Sequence, residues 1–574
     1  MWYGYYMKIV EYGSKTCVNC VSEFVFDVAD QNYSAKVGVP APTHCPQCRM
    51  QRRLAFRNER SFYKRPCDMC KGSFISSYAP DAKFPVYCTK CWWSDGWDGM
   101  QFGHDYNSAK SFFEQLRELA NVVPRLGVPN TSSNVNSEYG TWLDQCKNCY
   151  LLFGSSNCEE VLYSELLYGC RDSLDLTNCN ETERSYECVN SKKCYGCVHC
   201  VSCVSCNDCY FSFDCRGSNN CFLSYNLRNK SYYFLNEQLT KEVWHERVNE
   251  ILGSYTKMQE ALRQFEDLVR KEAIHRYANF VQVVDSTGND LFHTKNAKMC
   301  FDSSDLEDCR YVSYGDKIKD CQDAYAIVGG AEQCYEYLSG NGAANSKFVL
   351  AGWDENLSSE LSQHIIASKD TFGCVGLRKE QYCIFNKQYE KSEYEKLTAQ
   401  IKQEMTAHGE YGEYFPIDTS DFAYNETIAQ DYYPLSKDEA LAKGYRWRDD
   451  IGGTYGKGTI APEQIPDKIS DVPQTIINQV LTCIDCSRNY RIIDREYDFY
   501  LSLKLPIPRQ CTNCRYHERL TFRNPRELWS RTCMCKKEGH FHTTDACPNK
   551  FETTYAPTRS EIIFDDSCYQ AEVV

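Results

Sequence analysis

Cys17-Val18-Asn19-Cys20 and Cys45-Pro46-Gln47-Cys48, with 24 residues between them, lie at the head of the sequence, and Cys67-Asp68-Met69-Cys70 and Cys88-Thr89-Lys90-Cys91 follow. A Cys-x-x-Cys turn aims two sulfurs at one point, and two such turns close a tetrahedral thiolate shell around Zn²⁺ at ~2.3 Å per bond. Sequential pairing is favoured, because the 24 residues between Cys20 and Cys45 fit a small hairpin and the 17 between Cys70 and Cys88 also fit. A shell saturated by four protein ligands is structural, whereas catalytic zinc keeps one open position. Zinc binding supplies folding energy on the order of 10 kcal/mol per site, which matters in ~75-residue segments that bury little core.

The far end repeats the plan. Cys483-x-x-Cys486 and Cys511-x-x-Cys514 have the same 24-residue gap, and Cys533 follows Cys514 by 19 positions, as Cys67 follows Cys48. Residues 48–58, Cys-Arg-Met-Gln-Arg-Arg-Leu-Ala-Phe-Arg-Asn, match residues 514–524, Cys-Arg-Tyr-His-Glu-Arg-Leu-Thr-Phe-Arg-Asn, and Pro40 and Pro42 recur as Pro506 and Pro508. Cys70 lies eight residues before Tyr78, and Cys547 eight before Tyr555, so Cys547 stands for Cys70 and an 11-residue insertion, 536–546, has entered the turn. Cys568 then stands for Cys91, while Cys88 falls on Asp565. Cys535 is the first expectation for the fourth ligand of this last set, with His540, His542 or Asp565 as substitutes. Four sets imply about four zinc ions.

Thr16 to Phe26, Tyr33, and Pro42-Thr43-His44-Cys45-Pro46-Gln47-Cys48-Arg49 resemble the zinc-ribbon domain of a family of uncharacterised, cysteine-rich bacterial proteins, over about 35 residues at each end. The wider chain is similar to large bacterial proteins that carry this ribbon. The resemblance implies a zinc-ribbon fold with Cys17, Cys20, Cys45 and Cys48 as ligands, and it implies no particular activity.

The middle follows another grammar. Cys149, Cys158 and Cys170 recur 151 positions later as Cys300, Cys309 and Cys321, and residues 226–236 match 376–386, so the middle is also duplicated. Cys recurs every nine residues at 170, 179, 188, 197, 206 and 215, and every third residue from Cys194 through Cys197, Cys200, Cys203 and Cys206 to Cys209. A short fixed period with turn formers between small residues predicts a β-solenoid. Two nine-residue units would make one 18-residue coil, with coils stacked ~4.8 Å apart. Three fates are open to the cysteine ladder: packing as small hydrophobes, disulfides, or a metal cluster at 194–209. The few cysteines kept in copy two suit packing best.

Outside the cysteines, the strongest polar feature follows each first ribbon. Arg49, Arg52, Arg53, Arg57, Arg60, Lys64 and Arg65 face one acid, Glu59, with Phe56, Phe62 and Tyr63 between them; Arg515, Arg519, Arg523, Arg526 and Arg531 form the second copy. Arginines among aromatics hold phosphates and stack bases, which makes Arg49, Arg52, Arg53, Arg57, Arg60, Arg519 and Arg523 nucleic-acid candidates. In a chain of net charge −14, pairing with the protein's own carboxylates is the competing role. Trp92, Trp93 and Trp97 cover a small zinc core or stack bases. The sequence holds no phosphate-binding glycine loop, no serine nucleophile elbow and no His-Glu-x-x-His, so catalysis is not expected. No apolar run of ~20 residues suggests a membrane span. The first residues do not read as an export signal, which places the thiols in a reducing cytoplasm.

The expected architecture is mainly β with minor α, duplicated zinc ribbons flanking two tandem cysteine-rich β-solenoid units with helical ends. The boundaries are a double ribbon at 1–105, a helical linker at 106–139, solenoid copies at 140–280 and 281–410, a linker with a short capped helix at 411–475, and a second double ribbon at 476–574. Thr240 is placed to cap a helix, 255–278 has helical apolar spacing, a further helix falls near 391–406, and Ser436 and Glu439 form a capping box. The expected function is zinc-dependent binding or scaffolding, toward nucleic acid through the ribbon arginines or toward protein along the solenoid. A thiol-rich metal-handling or redox protein is the alternative.

Overall fold

The computed structural model describes residues 13–177, 182–190, 192–328, 334–336, 338–341, 347, 357–537, 540, 542 and 545–574. Cys179 and much of the second repeat's centre lie outside them. The described chain mixes α and β: antiparallel hairpins and helices at the ends, parallel strands in the middle. Among the described residues, no helix is long and apolar enough to cross a membrane.

At each end, the first cysteine pair of a set sits in the turn of a two-stranded hairpin, as in Gly13–Thr16 with Glu23–Phe26 and Leu481–Thr482 with Asn489–Tyr490. The second pair opens a helix. Cys45 is the N-cap of Pro46–Leu54, Cys88 of Thr89–Trp92 and Cys511 of Thr512–Leu520. Pro46 suits the first helical position, where its missing N–H costs nothing. The expected hairpin between Cys20 and Cys45 is instead a helix, Val28–Val37, closed by a capping box of Asp27 with Asp30 and ended by Gly38 at φ 71°. Its counterpart is Asp494–Leu503. Local capping chemistry therefore outweighed the reading from loop length.

In the middle, partners in the parallel ladder are twelve residues apart: Lys147 with Glu159, Tyr150 with Leu162, Val189 with Val201 and Arg216 with Arg228. Full strands keep that register, as in Val198–Val201, Tyr210–Phe213 and Asn219–Tyr225, and so do Gly288–Lys295 with Cys300–Glu307 and Lys369–Phe372 with Gln381–Ile384. Every third residue has a left-handed backbone: Asn148, Leu151, Gly154, Asn157, Glu160, Tyr163, Leu166, Gly169, Asp172, Asp175. Asn, Asp and Gly tolerate that conformation best. The next residue of each triplet is buried: Cys146, Cys149, Leu152, Ser155, Cys158, Val161, Ser164, Leu167, Cys170. The real period is thus three, with four triplets between ladder partners, and not two nine-residue units in an 18-residue turn. Cysteines placed on a three-residue lattice correlate at nine as readily as at twelve.

The buried thiols and hydroxyls are tied to their own main chain. Cys197 Sγ donates to the carbonyls of Tyr195 (3.5 Å) and Cys206 (3.6 Å). Cys206 Sγ does the same with Val204 (3.4 Å) and Cys215 (3.1 Å). Ser155 Oγ donates to the Phe153 carbonyl (2.8 Å) and accepts from the Leu167 N–H (3.0 Å). A small side chain with one donor is what the position demands, so Cys and Ser alternate freely. Where copy two has Leu306, Val312, Ile318 and Ala324 instead, the same positions are filled by apolar bulk.

The chain divides into two compact units, residues 1–127 with 278–450 and residues 128–277 with 451–574. Each unit joins one cysteine-rich end to one parallel repeat, but the partners are not neighbours in sequence: the first end packs on the second repeat, and the last end on the first. In the second of these units, Thr240 caps Lys241–Ile251 and the helix Tyr255–Lys271 buries Met258, Leu262, Phe265 and Leu268. They join Leu174, Phe211, Phe222, Ile465, Ile469, Tyr500 and Leu505 in one core. In the other, the helix Lys391–Ala407 buries Ile401 and Met405, and Ser436 with Glu439 boxes the short helix Lys437–Ala442.

What joins end to repeat is a column of left-handed corners. In one unit the column reads Tyr163, Asp175, Glu187, twelve apart; in the other it reads Tyr311, Asp323, Glu336. The helix Thr512–Leu520 lays Arg515 on Asp175 (2.8 Å) and Arg519 on Asp175 (2.8 Å) and Glu187 (3.0 Å). The helix Pro46–Leu54 lays Arg49 and Arg53 on Asp323 (2.9 and 3.2 Å) and Arg52 on Glu336 (2.5 Å). Arg49 lies over the Tyr311 ring (5.1 Å) and Arg515 over Tyr163 (5.2 Å). The two tyrosine hydroxyls donate to Asp30 (3.3 Å) and Glu496 (2.8 Å). Burial opposes the charge on Arg49 and Arg515, but Asp323 and Asp175 beside them keep both pKa values above the ordinary arginine range.

The arginines considered for nucleic acid are engaged within the protein, the competing role the net charge suggests. Arg49, Arg52, Arg53 and Arg57 are buried against Asp323, Glu336, Glu413 and Glu59, and Arg519 against Asp175 and Glu187, while the half-buried Arg523 pairs with Glu165. Arg60 is half-buried. The five buried arginines are paired with the protein's own carboxylates and are closed to solvent. Trp92 and Trp97 are likewise buried, packed edge-on with Trp93 and Tyr87.

Removing one partner from a buried ion pair leaves an uncompensated charge at a cost of ~3–5 kcal/mol. Asp323→Ala should therefore lower stability by about that amount in denaturant unfolding, and Asp175→Ala should do the same. Lys147→Ala, at an exposed pair with Glu159, should leave the midpoint nearly unchanged. Equal effects from all three would refute the column as the joint.

Candidate metal centres

The structure brings together the ligand atoms of Cys17, Cys20, Cys45 and Cys48, of Cys67, Cys70, Cys88 and Cys91, and of Cys483, Cys486, Cys511 and Cys514, each set within 4.8 Å. Cross-pair sulfur separations are 3.8 Å for Cys20 and Cys45, 3.9 Å for Cys70 and Cys88, 3.7 Å for Cys483 and Cys514, and 3.6 Å for Cys486 and Cys511. A tetrahedron with ~2.3 Å metal–sulfur bonds has edges of about 3.8 Å, so the three sets fit zinc. One ligand pair comes from a hairpin turn and the other from a helix N-terminus, where the aligned peptide dipoles favour a thiolate.

Main-chain amides and the Asn19 side chain donate to the sulfurs. The Cys88 N–H donates to Cys67 Sγ (3.3 Å), the Cys511 N–H to Cys483 Sγ (3.2 Å), and the Asn19 amide to Cys48 Sγ (3.3 Å). Burial alone would raise the Cys67 thiol, yet amides of Cys88, Cys70 and Met69 bring it down to about 7. The Cys48 thiol, against burial, brings Cys45 down to about 5. Burial together with neighbouring thiols pushes Cys91 up to about 12 and Cys511 up to about 11, so without an ion only part of each set is ionised and metal binding must displace the remaining protons.

The last set differs from expectation. Cys533, Cys547 and Cys568 gather with Asp565, and Cys535 instead gathers with His540, His542 and Cys568. Asp565 is the N-cap of Asp566–Val573, accepts from the Cys568 N–H (2.7 Å), and lies 3.1 Å from Cys547 Sγ. It occupies the helix N-terminus that Cys88 occupies in the other end, and aspartate caps helices well. Asp565, the substitute that the spacing offers, stands where Cys535 is the first expectation.

Among the described residues, the groups able to hold a metal include none of Cys194, Cys197, Cys200, Cys203, Cys206 or Cys209, and the described cysteines form no disulfide.

Residues 14–57 match the profile of a family described as a probable treble clef domain. A treble clef draws one ligand pair from a hairpin turn and one from a helix, as residues 14–57 do, and this match supports the zinc-ribbon character expected of that end. No curated protein matches the chain. Of the solved structures, a provisionally assigned acetyltransferase from Desulfovibrio desulfuricans G20 aligns at 10% identity over 44% of this chain and 68% of that one, with a TM-score of 0.11, too low to carry an argument.

Alkylation followed by mass spectrometry tests the division of labour. After chelation of metal, the cysteines of the end sets should react rapidly, while Cys194 to Cys209, all buried, should react only on global unfolding. Equal labelling of both classes in the folded chain would show that the ladder is not sealed.

Proposed function

We propose that this chain is a zinc-stabilised, non-catalytic binding protein whose partner is another protein, docked along the outer side of a β-solenoid. The solenoid reading is supported by the twelve-residue parallel register and the left-handed residue at every third position. Zinc in the three cysteine-only sets is supported by their fit to a tetrahedral shell, and a structural role by their four protein ligands. Buried thiols bonded to their own main chain favour packing over metal handling or redox work, and a reducing cytoplasm suits them.

The observation that carries the partner class is the outward array of the first repeat. Lys147, Glu159, Arg171 and Glu183 follow one another at twelve-residue intervals with alternating sign, and Tyr195, 45% exposed, comes next in the same column. An alternating array with exposed aromatics complements a protein surface. A polyphosphate backbone requires an unbroken basic run, and the arginines that would supply one are inside.

Fluorescence anisotropy with single- and double-stranded nucleic acid should show no binding at physiological salt. Tight binding that falls steeply with salt would overturn the proposal. Proteins captured by the native chain should be lost on Lys147→Glu with Arg171→Glu, with thermal stability and zinc content unchanged. Capture that ignores this reversal would also count against it.

A further inference from the structure

We infer that the C-terminal end holds a two-metal centre, in which the Cys568 thiolate bridges one divalent ion bound by Cys533, Cys547 and Asp565 and a second bound by Cys535, His540 and His542. Cys568 is the one residue common to both ligand groups. Its sulfur interacts with Cys547 on one side and with Cys535 on the other. Each ion then has four ligands, and the seven side chains serve two ions without surplus.

The second group is built as a ligand set. His540 Nδ1 lies 3.1 Å from Cys535 Sγ, while its Nε2 faces Glu572 Oε2 at 3.5 Å. A ligating histidine characteristically turns its other nitrogen to a carboxylate, which fixes the tautomer and the ring. Glu572 is itself held by Lys537. Cys535 is fully buried and both histidines are half-buried. Mixed sulfur and imidazole ligation selects zinc over the hard cations magnesium and calcium.

Charge argues for filling both positions. Four thiolates and one carboxylate carry −5, which two divalent ions reduce to −1. A single ion would leave a buried −3 if all five stayed ionised. The second ion also accounts for the insertion 536–546. At the other end a compact Cys67-x-x-Cys70 turn needs no support; here the turn is opened between Cys535 and Cys547, and the histidines the insertion carries tie it back to the cluster.

Elemental analysis of the purified full chain tests this, with the three cysteine-only sets as an internal reference. The intact chain should contain about five zinc, and His540→Ala with His542→Ala should lose one equivalent. Equal zinc content in the two proteins would overturn the proposal, because a single ion would then reside in the Cys533, Cys547, Asp565 and Cys568 set. If the double variant fails to fold, cobalt substitution of the intact chain decides instead. A thiolate bridge couples the two cobalt spins and depresses the paramagnetic signal of the last equivalent added, whereas a signal that grows linearly through every equivalent would overturn the bridge.

Discussion

Two aspartates, Asp175 and Asp323, each receive two arginines from a helix that begins at a metal-ligand pair. The rest of each unit depends on this joint. Both aspartates occupy left-handed corners of the parallel repeat, with a tyrosine one turn before and a glutamate one turn after. A buried ion pair gains little net stability over apolar packing, because desolvation offsets most of the attraction. What it provides is intolerance of error: a helix docked one turn out of place would leave both guanidinium groups and carboxylates buried without partners.

The metal sets and this joint are one device. Cys45 and Cys48 fix the start of the helix Pro46–Leu54, and Arg49, Arg52 and Arg53 follow within its first two turns. Cys511 and Cys514 place Arg515 and Arg519 in the same way. An ion that locks the helix N-terminus therefore aims the arginines, so metal binding and the docking of end on repeat are thermodynamically linked. The exposed cysteines Cys20, Cys70 and Cys486 lie at the outer side of their sets, while their hairpin partners Cys17, Cys67 and Cys483 are buried.

In the parallel-strand regions, a left-handed residue recurs at every third position and the residue after it is buried. Among the described residues that position is filled mostly by Cys, Ser, Thr, Val, Ala, Leu or Ile, and a thiol or hydroxyl adds a bond to the neighbouring carbonyl. Packing of this kind accounts for abundant cysteine without requiring a metal or a disulfide. The left-handed corners are strained for bulky residues such as Phe211 and Tyr163. Both are fully buried in the core that covers the repeat, which compensates the strain with apolar burial.

The sequence by itself determined the grouping of the three four-cysteine sets, the internal matches of ends and middle, and the helices capped at Thr240 and Ser436, because short-range spacing and capping chemistry encode them. It also named Asp565, His540 and His542, without showing that Cys568 belongs to two groups, since the insertion's return path is not a local property. The triplet period was visible from Cys194 to Cys209 but was masked by its own multiples. Tertiary structure alone decided that the first end packs on the second repeat and the last end on the first, and hence that the arginine-rich helices point inward. A cluster of basic residues has the same sequence whether phosphate or aspartate neutralises it; only the fold, by bringing Asp323 and Asp175 to those helices across more than 270 residues in each case, chose between them.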